Sequence, residues 1–121
     1  MRIKARGQKR RDPGAMTQTE KRYANVLQAM LNNGEIARFD FEPERLVIGP
    51  NTAYTPDYRV MLADGSIVMV EVKPRNYQKI PNQDKSAVKI KVAAEMHPYI
   101  FWRVVETDVK GTFKMEVIEP R

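Results

Sequence analysis

The stretch TPDYRVMLADGSIVMVEVKP, residues 55–74, leaves little freedom in how it folds. Two runs of alternating apolar and polar residues flank Asp64-Gly65, the pattern of a β-hairpin. Its register depends on the turn. A two-residue type I′ turn at Asp64-Gly65 sets Ala63 against Ser66 and points Asp57 away from Glu71. A three-residue turn, with Gly65 in the left-handed conformation, sets Leu62 against Ser66 and Asp57 against Glu71. Asp-Gly suits both turns, so burial decides. In the three-residue register Tyr58, Val60 and Leu62 share a face with Val68, Val70 and Val72, whereas the alternative scatters them over both faces. Each buried large side chain contributes roughly 1.5–3 kcal/mol, well above the difference between turn types. The expected strands therefore run over about 57–62 and 66–73, with Asp57, Glu71 and Lys73 side by side.

Those charges need an explanation. Two carboxylates about 4 Å apart repel by about 4 kcal/mol at a typical effective dielectric. Either a cation sits with them or one of them takes up a proton. Lys73 is a sufficient answer if the strand pair is a salt-bridged, solvated sheet face. The other reading places a divalent cation between Asp57 and Glu71, where hard oxygen ligands suit Mg²⁺ or Mn²⁺. Glu20 favours the second reading. Thr17-Gln18-Thr19-Glu20 forms a capping box, and Tyr23, Ala24 and Leu27 follow Glu20 at helical spacing. Glu20 thus lies on the apolar stripe of the first helix and is expected to overhang the sheet edge near Asp57.

Around the hairpin the pattern is helix, strands, helix, strand, strand. Tyr23, Val26, Leu27, Met30 and Leu31 define the first helix, with Gly34 placed to end it. EIARFDFEPERLVIG reads as a strand, a bend at Pro43 and a second short extended piece. RNYQKIPN reads as a loop and QDKSAVKIKVAAEM as a second helix, stopped at His97-Pro98. YIFWRVVE is an apolar strand expected at the centre of the sheet, with Phe101 and Trp102 in the core. TFKMEVIE supplies a last strand after a turn at Gly111. His97 reads as a cap or surface residue. This order predicts one domain over residues 16–121, of mixed α/β (α+β) class, with a mixed sheet and flanking helices.

Composition narrows the function. A chain of 121 residues suffices for one core. It contains no Cys, which removes disulfides and thiolate metal sites and fits a reducing cytoplasm, and its single His argues against a His-built zinc site. No apolar run approaches the roughly 18 residues of a membrane span, and MRIKARGQKRR is followed by no apolar signal-peptide core. Residues 1–15 hold Arg2, Lys4, Arg6, Lys9, Arg10 and Arg11 against Asp12, carrying +5 of the net +6 charge. Such an arm is expected to be disordered when free, and it suits either nucleic-acid phosphates or a solubilising role.

The motif Pro56-Asp57, thirteen intervening residues, then Glu71-Val72-Lys73, with Glu20 upstream, resembles the PD-(D/E)XK nuclease superfamily. In size and layout the chain is most similar to small phage-type endonucleases and Holliday-junction resolvases, and the likeness covers about residues 17–106. The resemblance implies a restriction-endonuclease-like core of order α-β-β-β-α-β and Mg²⁺-dependent (or Mn²⁺-dependent) cleavage of DNA to 5′-phosphate and 3′-hydroxyl ends. It implies that Asp57 and Glu71 bind the metal with the Val72 carbonyl, and that Glu20 binds a second ion or orients its water. Lys73 would activate the attacking water and offset charge on the phosphate. The family also carries basic residues on its second helix, which makes Lys89 and Lys85 candidates for phosphate contact, although a solvated helix face explains them equally well. Arg75, Tyr77 and Lys79 follow the catalytic strand and suit DNA backbone contact or an ordinary polar loop. Resolvases make paired cuts, so a homodimer fits this picture. A non-catalytic nucleic-acid-binding module, or a nuclease subunit of a recombination complex, fits the same residues with different chemistry.

Overall fold

The computed structural model describes residues 15–81, 83–108 and 111–120. Lys9, Arg10 and Arg11 of the basic arm lie outside the described residues. The first helix, α1 (Gln18–Asn32), begins at the capping box. Thr17 Oγ1 accepts from the Glu20 amide at 3.1 Å, and Glu20 Oε1 accepts from the Thr17 amide at 2.9 Å. There follow β1 (Ile36–Phe41), β2 (Leu46–Gly49), β3 (Thr52–Tyr54), β4 (Tyr58–Leu62) and β5 (Ile67–Lys73). A short 3-10 turn, Tyr77–Lys79, leads into α2 (Gln83–Met96), and β6 (Ile100–Glu106) and β7 (Phe113–Val117) complete the chain.

The fold is α+β. Five strands form a mixed sheet in the order β1-β4-β5-β6-β7, and β2 and β3 make a separate hairpin. All neighbours in the main sheet are antiparallel except β5 and β6. A parallel pair needs a long crossover, and α2 supplies it. Period-two alternation along β5 gives each sheet face its own core. On one face Val68, Val70 and Val72, with Tyr58, Val60 and Val104, receive Tyr23 and Leu27 of α1. On the other, Met69 and Phe101 are covered by Ile90, Ala93 and Ala94 of α2 and by Leu46, Ile48 and Tyr54 of the small hairpin.

Residues 58–70 adopt the three-residue register. Tyr58 faces Val70 and Val60 faces Val68. The Leu62 amide donates to the Ser66 carbonyl at 2.9 Å, and the Gly65 amide donates to the Leu62 carbonyl at 2.9 Å. Gly65 closes the turn at φ +90°, where a side chain is strained. Gly65→Ala is therefore expected to cost about 1–2 kcal/mol, measured by thermal melting. An unchanged melting temperature would show that the turn relaxes to another type.

Two features depart from expectation. β6 is interior but not central: β5 holds the middle, since β4 and β1 lie on one side of it and β6 and β7 on the other. The strand β3 was not anticipated, because three residues are too few to display an alternation. Asn51, at φ +52°, turns the chain back after Pro50 to form it. Among the described residues no helix is long and apolar enough to cross a membrane.

Candidate metal centre

Glu71 is the most heavily engaged acid of the sheet. It lies on the α2 face of β5, with the polar side chains of three other elements against it, and is 4% exposed. Oε1 accepts from Tyr54 Oη of β3 at 3.2 Å and from Ser86 Oγ of α2 at 3.0 Å. Oε2 accepts from Arg103 Nε at 3.2 Å, and Lys73 Nζ stands 3.9 Å away. Arg103 is the direct cross-strand neighbour of Glu71 on β6. The charges of Glu71 and Asp57 and the loss of water hold the Tyr54 hydroxyl well above its ordinary pKa, burial being the largest cause.

Asp57 sits one residue before β4. Its amide donates to the Val70 carbonyl at 2.9 Å, its carbonyl accepts from the Glu42 amide at 2.8 Å, and Oδ2 accepts from the Val72 amide at 2.7 Å. Burial pushes the Asp57 carboxyl well above the ordinary carboxylate range. The Val72 amide opposes that shift, while the neighbouring Glu20 and Glu71 charges, with a hydrogen bond to Glu20, reinforce it. Glu20 reaches Asp57 from the other side of the sheet. It is buried on the stripe that carries Tyr23 and Leu27, and its carbonyl accepts from Tyr58 Oη at 2.9 Å.

Lys73 Nζ donates to Ser86 Oγ at 2.9 Å, so a single hydroxyl links the lysine to Glu71. Tyr77 lies under both cations, its ring centre 5.8 Å from Lys73 Nζ and 6.0 Å from Arg103 Cζ. Three carboxyl groups, from Glu20, Asp57 and Glu71, thus meet two cations at one end of the sheet. Arg103 stands on the Glu71 side of this group, and Glu20 meets Asp57 on the other.

Of the second-rank candidates Tyr77 meets the cluster, whereas Lys85, Lys89 and Arg75 fall elsewhere. Lys85 and Lys89 are exposed on α2, and among the described side chains of that helix Ser86 reaches the cluster. Arg75 is exposed and lies near Glu106, at the end of β6. Glu106 is itself claimed by Arg22 of α1, through both Nε and Nη2, and by Thr19 Oγ1 at 3.4 Å. The Arg22 bond, foremost, holds the Glu106 carboxyl below its ordinary value. Sequence reasoning passed over Tyr54, Ser86 and Arg103. Two of them left a signal: Ser86 precedes Ile90 and Ala93 on the apolar stripe of α2, and Arg103 is a lone charge in the otherwise apolar run IFWRVV.

The donor set suits a hard divalent cation in kind. Asp57 and Glu71 offer oxygen ligands at adjacent strands, and Mg²⁺ is commonly held by one or two carboxylates with several waters. It is not a ready-made cage: among the described residues no group of three or more His, Cys, Asp or Glu side chains is spaced to hold an ion.

The fold and site together define an α+β protein with a compensated acidic cluster at the end of a mixed sheet. No protein-family model and no curated protein matches the chain. Among solved structures, the crystal structure of SSO0001 is similar to it at a TM-score of 0.41 and 14% identity, over 82% of this chain and 50% of that one. The chain thus spans about half the length of that protein, and a likeness this loose bears on neither activity nor partners.

Proposed function

We propose that this chain is a metal-dependent DNA endonuclease, a member in kind of the PD-(D/E)XK nucleases, that leaves 5′-phosphate and 3′-hydroxyl ends. The observation that carries the reading is the meeting of Asp57, Glu71, Glu20 and Lys73 at one sheet end. Asp57 and Glu71 would hold Mg²⁺ or Mn²⁺, with the Val72 carbonyl and Glu20 as further oxygen ligands. When bound, the ion supplies polarisation of a phosphoryl oxygen and neutralises charge on the leaving 3′ oxygen. Lys73, fixed by Ser86, orients the attacking water and offsets charge on the phosphate. Junction resolvases make branched DNA the first substrate to try. Phosphate contacts from Lys9, Arg10 and Arg11, a cytoplasmic location and a paired, homodimeric enzyme belong to the same reading.

A second reading has one observation in its favour. Arg103 already neutralises Glu71, as a purely structural ion pair would in a nucleic-acid-binding module without catalysis.

Supercoiled plasmid and a four-way junction separate the two. Wild type is expected to nick in Mg²⁺ or Mn²⁺ and to stop when the metal is chelated. Lys73→Ala is expected to lose roughly a hundredfold in rate. Binding of DNA without cleavage, across these substrates and metals, would establish the second reading instead.

A further inference from the structure

The main sheet has two outer strands, and they are built differently. β1 carries a register shift between Ile36 and Arg38 and an Arg38–Asp40 ion pair, devices that blunt an edge against further pairing. β7 pairs with β6 in an unbroken register from Phe113 to Val117, and no other described strand lies beyond it. On the α1 face of that edge, Met115 is 48% and Val117 49% exposed. Val117 faces the half-buried Trp102, and exposed Ile100 continues the same face of β6. Trp102, expected in the core, is thus the inner border of an apolar strip at an edge that is open among the described residues.

We infer that β7 is the contact strand of a homodimer, in which two copies pair antiparallel about Met115. The occupant follows from the order Phe113-Lys114-Met115-Glu116-Val117. Centred on Met115, the pairing sets Lys114 of each copy against Glu116 of the other, and Phe113 against Val117. Charges then complement each other twice on one face, Glu116 accepting from the partner's lysine beside its bond to Arg103 of its own copy (3.0 Å), and apolar side chains meet on the other. Centring on Lys114 or Glu116 would instead oppose like charges, which is destabilising. The strand is self-complementary in one register only.

A contact of one five-residue strand from each copy is smaller than a standard stable interface, so a weak dimer is expected. The dyad of an antiparallel pair stands normal to the sheet, so both Glu71 clusters remain on one face of a continuous sheet. Five strand spacings separate the two β5 strands, about 24 Å. That last consequence matters only if the proposed nuclease reading holds; the pairing itself does not depend on it.

The test is sedimentation equilibrium of the full chain, from low to several hundred micromolar, with circular dichroism to confirm folding. Wild type is expected to dimerise. Lys114→Glu alone and Glu116→Lys alone each oppose like charges twice and weaken association roughly tenfold. The double swap Lys114→Glu with Glu116→Lys restores it, which a general loss of stability would not do. A wild type that stays monomeric, or a dimer indifferent to both single reversals, overturns the proposal. Nicking activity plays no part in this readout, so it stands or falls apart from the nuclease reading.

Discussion

Asp57→Asn is expected to abolish metal-dependent nicking while leaving the fold at least as stable as wild type. Loss of a ligand that supports several kcal/mol of transition-state charge stabilisation corresponds to a rate fall on the order of a thousandfold. Stability moves the other way because the Asp57 charge is unwelcome in the protein without metal. Its carboxyl is held well above the ordinary 3.8 by burial and by the charges of Glu20 and Glu71. A carboxyl raised in the folded state keeps its proton after the unfolded chain has lost its own. Stability therefore falls as pH rises from 3.8 through the raised value, and the penalty persists above it. Asn carries no charge and can still accept from the Val72 amide. Thermal melts in a chelator should converge for the two proteins below pH 3.8 and diverge above it, the variant melting higher. Added Mg²⁺ should raise the wild type alone. A variant that melts well below wild type at neutral pH, or still cleaves, would assign Asp57 to structure.

The second large effect belongs to Glu71→Ala. Removing this carboxylate leaves Arg103, 12% exposed, without its buried partner, deprives Tyr54 and Ser86 of their shared acceptor, and takes the nearby charge from Lys73. Breaking a buried pair from one side costs about 3–5 kcal/mol, or roughly 12–20 °C in melting temperature for a domain of this size. The double variant Glu71→Ala with Arg103→Met should recover much of that loss, since an apolar replacement no longer strands a charge. Calorimetry of the single and double variants measures the coupling. Equal melting temperatures for wild type and Glu71→Ala would show that Arg103 is satisfied elsewhere, for instance by Glu116, 3.0 Å from its Nη1.

These two predictions also mark what the sequence made legible. The Asp57–Glu71 juxtaposition followed from counting which register gathers Tyr58, Val60, Leu62, Val68, Val70 and Val72, because a one-residue slip in a hairpin moves every side chain to the other face. Both helices were equally readable: α1 carries its capping box, and α2 ends where His97-Pro98 stops it. Arg103 was not readable as a partner of Glu71. Its neighbour is set by a parallel pairing across a helix-length connection, and such pairing leaves no local trace in either strand. Tyr54 was hidden for another reason, sitting on a three-residue strand whose existence depends on α2 covering it. Charge alone drew attention to Lys85 and Lys89, whereas Ser86 reaches the acids because it shares the buried stripe of α2.

The bond from the Val72 amide to Asp57 Oδ2 has a consequence for how the site is observed. Here the ladder between β4 and β5 closes on a side chain instead of a main-chain oxygen. A proton or a cation arriving at Asp57 withdraws electron density from that acceptor, and the first atom to feel it is the backbone nitrogen lying between Glu71 and Lys73. One nitrogen resonance in the middle of the motif is thus a built-in gauge of the electrical state of the whole cluster.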